Sequence, residues 1–165
     1  MCIAFQNAKG DLQSQGFNQQ PFQFFSAMTK LKELLEDGKR VSPVLPEGMK
    51  NFLIDIDGTI GEDIPNEEPD RMEDAAVFHD ALATCNAWYE EGHIIYFFTS
   101  RTEAHREVTE RWLKKHGFLY HGIIFGKPRG GNYHWIDNHM VRATRYEGKF
   151  TDLIEKEMKI QVFRG

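Results

Sequence analysis

Cysteine is scarce in this chain: its 165 residues include only Cys2 and Cys85. The two lie far apart and form no CxxC or Cys/His ligand spacing, so no disulfide framework is indicated. Reduced thiols in the cytoplasm are the simplest reading. Long hydrophobic runs are also missing, and nothing approaches the roughly eighteen consecutive apolar residues a membrane span requires. The apolar start Met1–Phe5 is too short for a secretory segment. Excess positive charge is absent as well. Twenty Lys and Arg against 25 Asp and Glu give a net charge of −5, which argues against a protein that mainly coats nucleic acid. A local basic patch stays open. What is present, 41% hydrophobic residues with 13% aromatic, suffices for the core of one domain, or one domain with an appendage.

The appendage is expected at the N-terminus. Residues 1–49 read as an extension, partly irregular with one helix, and residues 50–165 as the working domain. Gln13–Gln23 is Gln-rich and has no clean period. Ser26–Asp37 reads as a helix, with Met28, Leu31, Leu34 and Leu35 on one stripe and Gly38 as its stop. Met28 and Met49 could each open a complete protein. Residues 1–27 therefore read as an upstream extension, or alternatively as a genuine arm packed on the domain.

From residue 50 strands alternate with helices. Phe52–Ile56 is the first strand, and 61–74 is an acidic, Pro-containing loop. Ala75–Glu91 reads as a helix, and His93–Phe98 as a strand buried on both faces. Thr102–His116 is amphipathic, with Ala104, Val108 and Trp112 on one stripe and Gly117 as its stop. Ile123–Phe125 and Tyr133–Ile136 read as short strands, Val141–Tyr146 and Thr151–Met158 as helices, and Ile160–Phe163 as a last strand. The expected class is α/β: a three-layer, Rossmann-like parallel sheet with helices on both faces and no large cap domain. Ligands of such sheets bind beyond the strand C-termini.

The polar signals fall there. Phe52-Leu53-Ile54 runs into Asp55-Ile56-Asp57-Gly58-Thr59. A strand carried through this segment would point both carboxylates the same way, where they repel unless a cation or a proton intervenes. That suits a magnesium-assisted site in which one carboxylate attacks and the other handles a proton. Asp-Gly is also a hairpin signal, so the pair alone does not decide. Thr99-Ser100-Arg101 follows the second strand and offers a hydroxyl and a charge to a phosphoryl oxygen, or else an ordinary N-cap. Thr102 with Glu103 or Arg106 makes no capping box. Lys127 follows the third strand and Asp137 the fourth. Asp-x-Asp, Thr, Lys and Asp at four successive strand ends make the pattern specific.

Over about residues 50–147 the chain resembles the haloacid dehalogenase superfamily of aspartate-nucleophile phosphohydrolases. The resemblance implies that Asp55 attacks phosphorus to form an aspartyl-phosphate, and that Asp57 protonates the leaving group and then activates water. It implies that Thr99 and Lys127 hold the phosphoryl group. Mg²⁺ would bind Asp55, the Asp57 backbone carbonyl and Asp137. Gly58, Thr59, Ser100, Arg101 and Arg129 are the candidate substrate contacts. Asn138 departs from the family pattern, which often has a second acidic residue here, and metal affinity is expected to fall. Both Asp55 and Asp57 are intact, which favours a phosphatase over a transferase or dehalogenase.

Thr59–His93 and Thr99–Lys127 are both too short to house a cap domain. The substrate is then large, or a homo-oligomer partner or the N-terminal arm closes the site. The acidic loop 61–68 reads as a small flap or a solvated loop. Lys127-Pro128-Arg129-Gly130-Gly131-Asn132 is a compact basic turn able to grip a second anionic or sugar group. Its tight join to the next strand resembles short bacterial sugar-phosphate and capsule-biosynthesis phosphatases. The phosphatase domain of polynucleotide 3′-phosphatases is the nearest alternative. Negative net charge favours a small phosphorylated substrate over nucleic acid, and no membrane partner is expected. A fold retained for binding or regulation, without turnover, is the third reading. The seven histidines lack HExxH spacing and read as scattered, with His139 closest to the site.

Overall fold

The computed structural model describes residues 32–78 and 80–150. The expected helix Thr151–Met158, the strand Ile160–Phe163, His79 and residues 1–31 lie outside them. β1 (Lys32–Glu36) and β2 (Lys39–Val44) form an antiparallel hairpin. The helix expected over Ser26–Asp37 is therefore corrected over its described part. Asp37 and Gly38 have φ of 50° and 75°. Those are the values of a two-residue hairpin turn that Asp-Gly favours, so Gly38 turns a hairpin and does not stop a helix. The ladder is irregular opposite Lys32–Leu34, where Pro43 brings no N–H to it.

The main sheet is parallel, in the order β3 (Asn51–Ile54), β4 (Ile94–Phe98), β5 (Gly122–Ile124). Phe52, Ile54, Ile95, Phe97 and Ile123 face one side, as their alternation along paired strands requires. α1 (Ala81–Glu90) and α2 (Arg106–His116) cover that side through Ala81, Cys85, Trp112 and Leu113. Trp88 stacks on Phe52 with ring centroids 4.4 Å apart. The α/β class and the parallel sheet agree with the sequence reading. On the opposite side Leu53 and Ile124 are each 41% exposed, and Phe98 meets Trp135 edge to face. A Cβ at Gly122 would lie 2.5 Å from the ring of Tyr96, its partner across the ladder, so this position requires glycine.

Several boundaries move. β3 ends at Ile54 and not Ile56. α1 begins at Ala81 and not Ala75, because Glu62 N donates to Ala76 O at 2.8 Å and Phe78 N to Ile60 O at 3.0 Å. Backbone paired in this way cannot also wind into a helix. α2 ends at Gly117, whose φ of 80° lets Phe118 N bond Leu113 O, as expected of a glycine stop. Thr102 does carry a capping box, with His105 as the reciprocating residue: Thr102 N donates to His105 Nδ1 at 3.1 Å.

The strand expected at Tyr133–Ile136 and the helix expected at Val141–Tyr146 are irregular instead. No described strand pairs with the first, and Trp135 and Ile136 are more than half exposed. The second is short and has no buried apolar stripe, so nothing offsets the cost of nucleating a helix.

Candidate active site

The segment after β3 makes one tight turn. Thr59, Ile60 and Gly61 all direct their N–H groups at the Ile56 carbonyl. Ile56 and Ile60 are buried beneath the turn and anchor it. Gly58 has φ of 75°, a conformation that favours glycine. Gly61 packs against α2 so closely that a Cβ would meet the Trp112 ring at 2.9 Å. The turn leaves Asp55 and Asp57 at the C-terminal end of the sheet without extending the strand, and it gives the two carboxylates different surroundings.

Main-chain bonds build the other half of the site. Thr99 N donates to Ile124 O at 3.0 Å, Lys127 N to Thr99 O at 2.9 Å and Gly126 N to Arg101 O at 2.8 Å. Thr99 and Lys127 thereby become neighbours. Lys127 is buried, and its Nζ lies 2.6 Å from Asp55 Oδ1. The Phe98 and Tyr133 rings flank that Nζ at 5.8 and 5.3 Å. The Thr99 hydroxyl stands 3.5 Å from Asp57 Oδ2 and accepts from Arg101 N at 3.1 Å.

Arg101 is fully buried and grips Asp57 with two donors, Nε to Oδ2 at 2.9 Å and Nη2 to Oδ1 at 2.7 Å. Nη1 donates to Thr109 Oγ1 at 3.0 Å, and that hydroxyl donates to His105 O at 2.8 Å. The sequence reading gave Arg101 to the substrate; the geometry directs it to Asp57. Thr109 escaped the sequence reading altogether. Its signal was a hydroxyl residue three positions before Trp112, on the face of α2 that turns inward.

Asp55, Asp57, Thr99, Arg101 and Lys127 are thus brought together. Ser100 adjoins them, and its carbonyl accepts from Asn66 Nδ2 at 2.8 Å. Arg129 is exposed and paired with Glu67 at 2.7 Å. That hydrogen bond holds the Glu67 carboxyl below its ordinary range and the Arg129 guanidinium above its own. The acidic loop is therefore tied at two points across the strand ends. Thr59 lies within the turn.

Asp137 stands on exposed, irregular chain and accepts from His139 N at 2.9 Å and Trp135 Nε1 at 3.2 Å. The bond from His139 N is the main reason its carboxyl sits below the ordinary range. Among the described residues, no group of three or more His, Cys, Asp or Glu side chains converges as a metal site.

Residues 52–147 match the family model described as PITM 1-3, LNS2 domain. The chain belongs to this family. The LNS2 domain has the haloacid dehalogenase-like phosphatase fold, the superfamily that the Asp55–Thr59 motif resembles. A search of curated proteins gives no match. Among solved structures, the LNS2 chain is similar to a structural-genomics target from Vibrio cholerae. The identity is 24% and the TM-score 0.42, over 57% of this chain and 84% of that one. It is also similar to a chain of a Pnkp1/Rnl/Hen1 complex, with 21% identity and a TM-score of 0.42 over 62% of this chain and 39% of the other. A chain of a Pnkp1/Rnl/Hen1 RNA repair complex gives 19% identity and a TM-score of 0.42, over 60% and 35% respectively. The LNS2 chain thus spans well under half of the chains it matches in those two complexes. No helix among the described residues is long and apolar enough to cross a membrane.

Proposed function

We propose that this protein is a magnesium-dependent phosphomonoesterase that works through an aspartyl-phosphate, on a phosphorylated sugar or another small phosphorylated metabolite. The observation that carries the reading is the unequal setting of two adjacent carboxylates. The Asp55 side chain is 35% exposed beside the Lys127 ammonium, whereas that of Asp57 is 10% exposed and held by Arg101. Two carboxylates in different environments can take different roles.

Asp55 is the one a phosphomonoester can reach. Its carboxylate oxygen bonds to phosphorus as the P–O bond to the leaving group breaks, and Asp57 gives its proton to the departing oxygen. Water then attacks the same phosphorus and yields its proton to Asp57. The Asp55–phosphorus bond breaks, and inorganic phosphate leaves. Lys127 and the Thr99 hydroxyl hold the phosphoryl oxygens and offset their charge. Arg101 orients the Asp57 carboxyl for that proton through Nε, 2.9 Å from Oδ2 and 3.3 Å from Oδ1, and through Nη2, 2.7 Å from Oδ1.

The donor chemistry fits magnesium, since it is made of oxygen atoms only. The Asp57 carboxyl is given to the proton and to Arg101, so Asp57 would contribute its main-chain carbonyl, alongside the Asp55 and Asp137 carboxylates. With only two carboxylates, waters would complete the shell. The ion would supply charge to the transferring phosphoryl group.

The stretches from β3 to β4 and from β4 to β5 hold one α-helix each. This supports an uncapped site, closed by the tied loop 61–68 or by a second copy of the chain.

The test is phosphate release from sugar phosphates, nucleotides and 3′-phosphorylated oligonucleotides, with Mg²⁺ and with chelator, in wild type and Asp55→Asn. Chelator-sensitive turnover that is lost in the variant is expected, with sugar phosphates preferred. Preference for the oligonucleotides would replace the substrate, and unaltered turnover in Asp55→Asn would overturn the mechanism.

A further inference from the structure

Arg101 sits in the motif where a cation is expected to meet the phosphoryl group, yet all three of its guanidinium nitrogens are already engaged within the protein. Nε and Nη2 take the two oxygens of Asp57, and Nη1 takes the Thr109 hydroxyl. The side chain is 1% exposed, so it has no surface to offer a ligand. Thr109 is buried as well, and it is itself fixed by donating to the His105 carbonyl one helical turn earlier. A planar fork held at both ends cannot rotate without breaking a buried hydrogen bond. The chain of contacts runs from the first turn of α2, through Thr109 and Arg101, to Asp57.

We propose that Arg101 and Thr109 are positioning residues, which act on the reaction only by fixing the Asp57 carboxyl. The proposal rests on the phosphomonoesterase reading for what Asp57 then does. Lys127 and Thr99 remain the phosphoryl contacts. Thr109 therefore sets the efficiency of proton transfer from a helix that does not touch the substrate. Misplacing a proton donor costs most where the leaving group needs the proton. An alkoxide does, and a nitrophenolate leaves without it.

The decisive variants are Thr109→Val, which removes the acceptor for Nη1, and Thr109→Ser, which keeps it. Thr109→Val is expected to lower kcat on an alkyl phosphate by about ten- to hundredfold, with KM changed less than about twofold. The loss on p-nitrophenyl phosphate is smaller, and Thr109→Ser restores both. A rise in KM with kcat intact would overturn the proposal by making Arg101 a phosphoryl contact. Equal losses on both substrates would overturn it by making the role merely structural.

A second readout needs no turnover. In wild type the Arg101 Nε–H should give a slowly exchanging NMR resonance that shifts in Asp57→Asn and Thr109→Val but stays in place when inorganic phosphate saturates the site. A resonance that moves with phosphate overturns the proposal. If no substrate is hydrolysed but the resonance behaves as stated, the phosphatase reading falls and the hold of Arg101 and Thr109 on the Asp57 carboxyl stands.

Discussion

Lys127 Nζ and Asp55 Oδ1 are 2.6 Å apart, with the lysine side chain only 7% exposed and the aspartate 35%. The buried partner comes from beyond β5 and the accessible one from beyond β3, so the pair closes the sheet's C-terminal end. Removing the ammonium is expected to weaken phosphoryl stabilisation without disturbing the core. Lys127→Ala should cost about 2–4 kcal/mol of transition-state stabilisation, read as a fall in kcat at saturating substrate. Asp55→Asn should abolish turnover, and a phosphate-release assay on both variants checks the pair.

Trp112 links α2 to the motif turn in two ways. Its indole N–H donates to Ala75 O at 2.8 Å, and its ring fills the space a side chain at Gly61 would need. Trp112→Phe leaves a buried carbonyl unpaired and should destabilise by about 1–3 kcal/mol. Gly61→Ala overpacks the same contact and should cost about 1–3 kcal/mol. Because the smaller ring of Phe relieves the clash, the double variant should lose less than the sum. Urea denaturation of the three variants measures this.

Cys85 is buried in the core, and burial, with Asp80 nearby, pushes its thiol up to about 12. In a Cys2→Ser variant, native protein at pH 8 should therefore resist thiol-specific labelling, and denatured protein should label at once. Fast labelling of the native state would contradict the packing of α1 on β4.

His116 carries a buried Nε2 with no hydrogen-bond partner among the described residues, and desolvation lowers its pKa below the ordinary value near 6.5. The folded state then binds fewer protons than the unfolded one. The contribution to stability is complete above about pH 6.5 and is lost as pH falls through the folded-state value. Thermal unfolding of wild type and His116→Leu between pH 5 and 8 should show a steeper acid-side decline in wild type.

Local chemistry made much of the fold legible. Ile94–Phe98 is a continuous apolar run and proved a central strand; Gly117 proved a left-handed helix end. The carboxylates, Thr99 and Lys127 were legible because each follows a strand. Errors arose where one signal serves two structures. Asp37-Gly38 can end a helix or turn a hairpin, and residues 32–36 carry no period strong enough to choose. The alternating aromatics of Tyr133–Ile136 mimic a strand, but two of them are used otherwise. The Tyr133 ring lies against Lys127 and that of Trp135 against Phe98. The partner of Arg101 was hidden because burial of a cation is a property of the assembled fold. No spacing in the sequence marks it.

The bonds from Lys127 N to Thr99 O and from Gly126 N to Arg101 O also bear on the order of events in time. They join Thr99 and Lys127 across two separate stretches of chain. A chain emerging from the ribosome has no site until β5 has been made and has docked on β4. Partial openings that release β5 dismantle the site while leaving β3 and β4 paired. Exchange of the Lys127 amide proton with solvent is then a clock for the whole centre, running at the pace at which β5 comes away.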